Sequence, residues 1–568
     1  MIGTKHSGNG NFIIFLFLIF WFLMNLLQSY FTGLANDEAY YWMYSRQLAW
    51  GYFDHPPMVA LLINAGTRLS SNGLGVRFMF CILGTLTLLL IWKTSPGSPR
   101  TFIWIVSAMA LVHSHVAGFL ALPDIPLIFF TALFFCFYRQ YLEKDSAGIV
   151  IMLSLAFAGM LYSKYHGLLV VIFVLLSNLS LLKRKSAWVI VGLAALAMVP
   201  HLMWQIQHGF PTFRYHLVTR SEGFDPENIL NYLYSQALIA GPLIAPLVLY
   251  YSLSSRPKDT FERSLIFTLV GFLSFFFISS FRDHIEAHWT AAAYVPLIIL
   301  AHASIRLNEK AVTWLRNLAI PSIVLLFAIR FMAAFDLVPY SLKYLDEFNG
   351  WDQWAETVRE KAGGRKVVFL NKYQYAAKYS FYTGDISCSL NDVFARKSQY
   401  NLWNIEDSLA GKPVMLNKSL RPVGMIKTPN RREHGYSFID SFQPYNRIVT
   451  AVTLPSEKLK AKDTLLLVCK LHTDERYALH YAPSGEFRPI LSYTVCREDG
   501  SFYQQHMPIR EYDYRDLPQN ATDEFTFTFI VPEKPGHYSL YIVYWIPVAG
   551  QMGDAKPAVF TVRGNGDQ

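Results

Sequence analysis

The chain has 568 residues, and 52% of them are hydrophobic, which is too apolar a composition for a soluble protein of this size. Its formal net charge of +9 comes from basic residues that are distributed between apolar runs. This distribution is typical of a membrane protein and argues against nucleic-acid binding, which requires a continuous basic face or tail. Five cysteines are too few for the disulfide framework of a small secreted protein.

Residues 1–340 contain repeated apolar runs of roughly the length that crosses a bilayer. We predict a polytopic helical membrane domain with about eleven spans, the first of which is retained and not cleaved as a signal peptide. The predicted spans are residues 11–29, 75–93, 101–121, 124–142, 148–163, 167–182, 187–204, 229–252, 263–281, 289–306 and 313–335. With a cytoplasmic N-terminus, the loops rich in Lys and Arg face the cytoplasm, as the positive-inside rule requires.

The loops on the opposite face carry most of the residues that are capable of chemistry. The first of these loops, residues 30–74, is rich in Tyr and Trp, which favour the headgroup region of a membrane. We predict two amphipathic helices within about 37–72, lying along the outer surface. An odd number of spans places the C-terminal region on this same outer side.

The C-terminal region has the composition of an ordinary globular sequence. Residues 341–435 predict a small α/β unit, and the short β-branched runs of residues 436–568 predict a β-sandwich. Cys469 and Cys496 lie in two of the predicted strands, and the sequence leaves open whether they form a disulfide.

Several short motifs resemble those of a known enzyme family. The segments Asn36–Trp42 (NDEAYYW) and Gly51–Pro57 (GYFDHPP) resemble the acidic pair and the proline pair that follow the first helix of GT-C fold glycosyltransferases. Leu122–Pro126, Ser163–Gly167 and Tyr373–Tyr382 resemble further motifs of these enzymes. The chain resembles lipid A aminoarabinose transferases and dolichyl-phosphate-mannose protein mannosyltransferases, which belong to families 39 and 83.

The resemblance implies a fold, a reaction and a location. It implies a bacterial inner-membrane enzyme that inverts the anomeric configuration while moving a sugar from undecaprenyl phosphate, or another polyprenyl phosphate, to lipid A or another envelope acceptor. The active site and the C-terminal region are expected on the periplasmic side. The aminoarabinose transferases carry an arginine where this chain has Tyr40 and a lysine where it has His55. We therefore do not assign their sugar specificity to this chain.

The residue types also fit this chemistry without the resemblance. An acceptor hydroxyl needs a general base, for which Asp37 is the first candidate and Asp124 the second, with Glu38 adjacent to Asp37. A leaving phosphate needs cations, and the candidates are His55, Lys164 and Arg282. Each residue also has a structural alternative, such as capping of a helix by the acidic pair or extension of Lys164 to the membrane interface.

Other residues are candidates for lining the donor or acceptor pocket. They are Tyr40, Tyr41, Asp54, Pro56, Tyr165, His166, Arg214, Arg220 and Tyr373. His284, Glu286 and His288 alternate as metal ligands sometimes do, but this pattern is more typical of a short polar loop, and we predict no metal site there. No cofactor is firmly implied, and assistance by a divalent metal stays an open alternative.

Three other functions compete with this prediction. A protein O-glycosyltransferase would share the fold and differ only in its acceptor. An outward-facing phosphotransferase needs a metal cluster or a nucleophile that the sequence does not display. A polyprenyl-lipid transporter typically shows internal repeats and ionisable residues at the membrane midplane, whereas here these residues lie at the ends of spans.

Overall fold

The computed structural model describes residues 8–95, 100–215, 223–337, 347–430, 432–476, 478–480 and 489–563. The chain forms two compact units, Met1–Asn349 and Gly350–Gln568. In the described residues, the first unit is helical and the second contains all of the β-sheets.

The first unit is built from sixteen described α-helices. They are α1 (Gly8–Phe31), α2 (Asn36–Arg46), α3 (Met58–Thr67), α4 (Gly73–Thr94), α5 (Thr101–Met109), α6 (Val112–Phe119), α7 (Asp124–Glu143), α8 (Ala147–Ser163), α9 (Gly167–Ser177), α10 (Lys185–Gln207), α11 (Pro211–Arg214), α12 (Pro226–Ile239), α13 (Ala245–Leu253), α14 (Thr260–Ser279), α15 (Tyr294–Ile305) and α16 (Glu309–Ala334). Two 3₁₀ helices, Leu179–Lys183 and Ala287–Ala293, precede α10 and α15.

Six of the described helical segments are long and apolar enough to cross a membrane: α1, α4, α7, α14, Ala287–Ile305 and α16. The number rises to eight if two bent pairs are each one span, namely α5 with α6, bent by 75°, and the two halves of α10, bent by 43°. The bend in α10 lies next to Pro200, which has no N–H to donate to the preceding turn. The prediction of about eleven spans is therefore not confirmed, because α8, α9, α12 and α13 are short.

Helices α2 and α3 form the connection between α1 and α4. Asp37 and Glu38 lie in the first turn of α2, where negative charge is favourable for the helix dipole. Seven of the eleven residues of α2 are buried, among them Tyr40, Tyr41 and Tyr44. This helix is therefore packed into the first unit more completely than an amphipathic surface helix.

The second unit begins with α17 (Trp351–Ala362) and α18 (Tyr373–Thr383), which accompany a five-stranded sheet of order β2-β1-β3-β5-β4. Its strands are β1 (Lys366–Leu370), β2 (Cys388–Leu390), β3 (Val414–Asn417), β4 (Gly424–Lys427) and β5 (Glu433–Ile439). Strand β1 pairs in parallel with β2 and β3, while β5 pairs antiparallel with β3 and β4. Because β5 continues to Ile439, this sheet extends beyond residue 435.

Two further sheets share one hydrophobic core in the second unit. Their strands are β6 (Ile448–Thr453), β7 (Lys458–Lys460), β8 (Thr464–Thr473), β9 (Ile490–Arg497), β10 (Phe502–Pro508), β11 (Thr522–Ile530), β12 (Gly536–Ile546), β13 (Gly550–Met552), β14 (Asp554–Ala555) and β15 (Ala558–Arg563). Cys469 on β8 and Cys496 on β9 belong to different sheets, and both are free thiols. The disulfide that the sequence left open is absent between these two described residues.

Candidate functional site

A buried ion pair between Arg77 and Glu38 connects several helix ends of the first unit. Both side chains are 0% exposed, and Arg77 Nη2 lies 2.5 Å from Glu38 Oε2. Arg77 Nε donates to Glu38 Oε1 at 2.7 Å, and the remaining guanidinium donors bind the carbonyl oxygens of Ser29, Thr32 and Gly33. All five guanidinium N–H donors therefore have acceptors, as a buried arginine requires.

The Glu38 carboxylate is equally engaged. Besides Arg77, it accepts hydrogen bonds from the backbone N–H of Ala35 at 2.9 Å and of Ala121 at 2.8 Å. Ala121 precedes the first residue of α7, Asp124, by three positions. The pair thus fixes the beginning of α2, which carries Asp37, and the beginning of α7, which carries Asp124.

A second buried arginine, Arg330 on α16, lies beside this ion pair. Its Nη2 donates to Asn25 Oδ1 at 2.8 Å, and its Nε donates to Gln28 Oε1 at 3.3 Å, both on α1. The ring of Phe119 lies 5.0 Å from the Arg330 guanidinium and 5.3 Å from that of Arg77. These cation–π contacts extend the polar layer across α1, α4, α6 and α16.

Asp124 and Lys164 form a second, nearly buried ion pair at the same end of α7. Lys164 Nζ lies 2.8 Å from Asp124 Oδ1, and the two side chains are 8% and 5% exposed. His288, which is 45% exposed, places its Nε2 3.9 Å from the other carboxylate oxygen. Three segments that are distant in sequence therefore converge on one cation and one carboxylate.

A layer of aromatic rings surrounds Asp54, which follows α2. Tyr44 donates its hydroxyl hydrogen to Asp54 Oδ2 at 3.0 Å, and its ring stacks on that of Tyr52 at 4.2 Å. Burial raises the pKa of Tyr44 well above its usual value, and Tyr40 and Asp54 raise it further, so the hydroxyl remains a donor. His55 is half-buried, with its ring 5.4 Å from that of Tyr41.

A chain of hydrogen bonds connects the loop after α2 with the residue next to Lys164. His201 on α10 bonds through Nδ1 to the Trp50 carbonyl and through Nε2 to the Tyr165 hydroxyl, both at 2.6 Å. Because a carbonyl only accepts, Nδ1 donates to Trp50, and Nε2 shares a hydrogen bond with the Tyr165 hydroxyl. The loop and the turn at Tyr165 are thus held by one imidazole, which we call the His201 bridge.

Two further residues reinforce the His201 bridge. Gln205 Nε2 donates to the Tyr165 hydroxyl at 3.2 Å and to Thr212 Oγ1 at 2.8 Å, and Thr212 donates to the Tyr52 carbonyl at 3.1 Å. Gly51 is necessary for this close approach, since a Cβ there would lie 2.4 Å from the Trp204 ring. The loop therefore packs directly against α10.

A mainly apolar groove of about 340 Å³ lies between α12, α13, α14 and α15. Its polar lining includes His113, Gln236 and Thr290, and Thr290 donates to Gln236 Oε1 at 2.6 Å. Thr290 shares the 3₁₀ helix Ala287–Ala293 with His288, and the groove residue His113 interacts electrostatically with Asp124 and His288, so this end of the groove lies near the Asp124–Lys164 pair. Six leucines are among its apolar lining residues, namely Leu233, Leu249, Leu253, Leu269, Leu273 and Leu297.

The other predicted site residues have different surroundings. Asp37, Arg214 and Arg282 are exposed, and Pro56 is buried. His166 packs its ring against Trp289, 5.5 Å away. Arg220 lies outside the described residues. Tyr373 belongs to the second unit, where its hydroxyl accepts a hydrogen bond from Arg396 at 3.0 Å.

In the part of the chain that the structure describes, no group of three or more His, Cys, Asp or Glu side chains is arranged to hold a metal ion. His284 and Glu286 approach each other to 4.0 Å, whereas His288 turns toward Asp124. The three alternating residues therefore do not share one partner.

Sequence reasoning overlooked Arg77, Arg330 and His201, because each lies inside or at the end of an apolar run and was counted as part of a span. An ionisable residue within a span is unusual and was the signal that would have found them. Nothing in the local sequence, however, identifies Glu38 as the partner of Arg77, which is 39 residues further along.

Comparisons with known proteins agree on the type of fold. Residues 54–204 match the family model described as dolichyl-phosphate-mannose-protein mannosyltransferase. A lipid A galacturonosyltransferase, RgtD of Rhizobium johnstonii, is 27% identical over 284 residues, which cover 48% of this chain and 60% of RgtD. The match thus spans about 60% of the length of that curated relative.

Two solved structures resemble the chain along most of its length. ArnT from Cupriavidus metallidurans bound to undecaprenyl phosphate superposes with a TM-score of 0.53 and 14% identity, covering 76% of this chain and 98% of ArnT. The apo state of the same protein gives a TM-score of 0.53 and 13% identity, covering 75% and 97%. With its apolar helices and sheet-rich C-terminal region, the chain is an integral membrane protein with an ArnT-like GT-C fold.

Proposed function

We propose that the protein transfers a sugar from a polyprenyl phosphate to an envelope acceptor, with inversion at the anomeric carbon. The observation that carries the proposal is the convergence of Lys164, Asp124 and His288 next to an apolar groove. A cation beside an apolar groove suits a ligand with one anionic end and one hydrocarbon end. The names of the relatives, a lipid A galacturonosyltransferase and an ArnT bound to undecaprenyl phosphate, support the same donor class.

Lys164 is proposed to bind the donor phosphate. Its ammonium has three donor hydrogens, and Asp124 uses one of them at 2.8 Å. The nearly buried position strengthens each interaction with an anion compared with water. Asp124 is proposed to orient Lys164. The half-buried imidazole of His55 is proposed as a second phosphate contact.

Asp37 is proposed as the general base. Its exposed carboxylate lies in the first turn of α2, whereas the neighbouring Glu38 is fully occupied by Arg77 and two amides. Asp37 would take the proton of the acceptor hydroxyl while that oxygen bonds to the anomeric carbon and the C–O bond to the lipid phosphate breaks. One direct displacement inverts the configuration, and no covalent glycosyl-enzyme is required.

Glu38 is correspondingly proposed as a positioning residue, which revises the sequence-based expectation that it is catalytic. The Glu38 carboxylate already accepts four hydrogen bonds, so it has no lone pair left to accept one from the hydroxyl of the acceptor substrate. The Tyr40 and Tyr41 rings are buried, the Tyr41 ring lies 5.4 Å from that of His55, and both are proposed to shape the pocket.

The acceptor and the location complete the proposal. Lipid A is the proposed acceptor, because the curated relative is named for lipid A, and a protein hydroxyl is the alternative that the family model suggests. Polyprenyl-linked sugars for envelope assembly are used outside the cytoplasm, so the site is proposed to face the periplasm of a bacterial inner membrane. About eleven spans remain our proposal for the membrane topology.

The donor class is testable with the purified full-length chain in liposomes. We expect product from at least one radiolabelled undecaprenyl phosphate sugar with lipid A as acceptor, and none from the matching nucleotide sugars. Transfer to an unstructured Ser/Thr peptide in place of lipid A would change the acceptor but keep the reaction. Absence of transfer from every polyprenyl donor, with transport of the lipid across the bilayer, would contradict the proposal.

The phosphate-binding role is testable at Lys164. Lys164→Met should lower kcat/KM for the donor about 10- to 100-fold, since a charge-assisted hydrogen bond contributes about 1.5–3 kcal/mol, and Lys164→Arg should recover part of the loss. Asp124→Asn should give a smaller loss because the ammonium is no longer oriented. Glu143→Gln, at the opposite end of α7, is the matched control. Wild-type kcat/KM in Lys164→Met would refute the role.

The His201 bridge is testable by comparing His201 on α10 with His208, the residue that directly follows this helix. His201→Ala should raise KM for the donor several-fold, because the loop that carries Asp54 and His55 loses its attachment to α10. His201→Asn, whose amide reaches the Trp50 carbonyl, should recover part of the affinity. His208→Ala removes the exposed histidine of the same segment and should leave KM unchanged. Equal KM values in the two alanine variants would show that the bridge does not position the loop.

A further inference from the structure

Three cationic residues of the second unit lie at one edge of its five-stranded sheet. Lys372 follows β1 and Lys418 follows β3, and the carboxyl ends of these neighbouring parallel strands lie at the same edge. Arg432 directly precedes β5, which runs antiparallel to β3 and therefore begins at that edge. The transfer reaction proposed above uses none of these residues.

Side-chain and backbone contacts bring the three cations toward His434. Lys372 Nζ lies 5.9 Å from the centre of the Tyr375 ring, and that ring lies 5.5 Å from the ring of His434. The N–H of Ser419 donates to the Gly435 carbonyl at 3.0 Å, which holds Lys418 beside His434. We call the group formed by Lys372, Asn417, Lys418, Arg432 and His434 the basic pocket.

The electrostatics of the basic pocket reflect an excess of positive charge. Burial lowers the pKa of His434 to about 4, and Lys418, Lys372 and Arg432 lower it further. Burial also lowers the pKa of the Lys418 ammonium, as do Lys372 and Arg432. The neighbouring carboxylate of Glu433 alternates with His434 along the strand and so belongs to the opposite face of the sheet.

Asn417 supplies an independent indication of a ligand. It is 1% exposed, and neither its Oδ1 nor its Nδ2 has a hydrogen-bond partner within the described ranges. Its register with Phe369 and Tyr436 puts it on the sheet face that carries Tyr375 and His434. Buried amides are nearly always hydrogen-bonded in folded proteins, so this side chain is expected to have a partner when the pocket is filled.

We propose that the basic pocket binds a phosphate group, which is carried either by a lipid headgroup or by a soluble phosphate ester. Lys372, Lys418 and Arg432 would neutralise the anion, and the Asn417 amide would donate a hydrogen bond to it. The eleven-residue α18, whose cap is Lys372, begins at the same edge and directs the positive end of its helix dipole there. The motif Tyr373–Tyr382, whose first residue was a candidate for the donor or acceptor pocket, lies within this helix.

Binding is measured with the full-length protein in detergent. Inorganic pyrophosphate, followed by calorimetry, is the soluble probe, and phosphatidic acid against phosphatidylcholine, followed by native mass spectrometry, is the lipid probe. Preference for either phosphate probe supports the pocket and identifies its source. A wild-type protein that binds neither probe would overturn the proposal.

Variants separate the pocket from general charge effects. Lys418→Ala with Arg432→Ala should weaken binding at least about tenfold, in line with the loss of charge-assisted hydrogen bonds. The control, Lys462→Ala with Lys470→Ala, removes the same charge from exposed ion pairs with Glu533 and Glu524 and should bind as wild type. Equal weakening in the two double variants would contradict the proposal.

A near-isosteric change covers the case in which the double variant fails to fold. Asn417→Asp places a carboxylate in the pocket and should abolish anion binding while the thermal unfolding temperature is retained. Pyrophosphate binding that is lost in Lys164→Met is assigned to the first unit. If Lys164→Met loses all binding and Asn417→Asp loses none, the proposal is contradicted.

Discussion

The arrangement of the first unit depends on the buried ion pair between Arg77 and Glu38. Two charges without solvent are costly unless every donor and acceptor is satisfied, and here the arginine uses all five of its N–H donors while the carboxylate accepts four. Removing one partner leaves the other charge buried, which typically costs about 3–5 kcal/mol. The pair therefore behaves as a rigid junction of α1, α2, α4 and the residues before α7.

This junction explains why chemistry-capable residues gather at one end of the helices. Asp37 is adjacent to Glu38, and Asp124 follows Ala121, which Glu38 binds, by three residues. Lys164 is then attached to Asp124, and the His201 bridge attaches the loop of Asp54 and His55 to the residue after Lys164. The proposed base and the proposed phosphate ligands are thus connected through polar contacts and short stretches of the chain.

Sequence alone predicted the parts of this architecture that depend on local pattern. Apolar runs located the helices of the first unit. The resemblance proposed Asp37, Asp124 and Lys164 as site residues, and the structure brings Asp124 and Lys164 into contact. Hydropathy could not predict which apolar runs form helices long enough to span a membrane. The helices bend or end near Pro200 and Gly241, although hydropathy continues across these positions. Nor could hydropathy predict that Glu38 is buried while Asp37 is exposed, since two adjacent carboxylates look alike until Arg77 is brought from another helix.

The most direct measurement compares these adjacent carboxylates in single-turnover transfer, with donor Kd and thermal unfolding measured on the same samples. Our account predicts that Asp37→Asn keeps the unfolding temperature and donor Kd of the wild type and loses about 100-fold or more in rate, within the range that general-base catalysis supplies. Glu38→Gln should instead lower the unfolding temperature and weaken donor binding. A Glu38→Gln protein with wild-type stability and Kd but no transfer, alongside an active Asp37→Asn protein, would contradict the assignment.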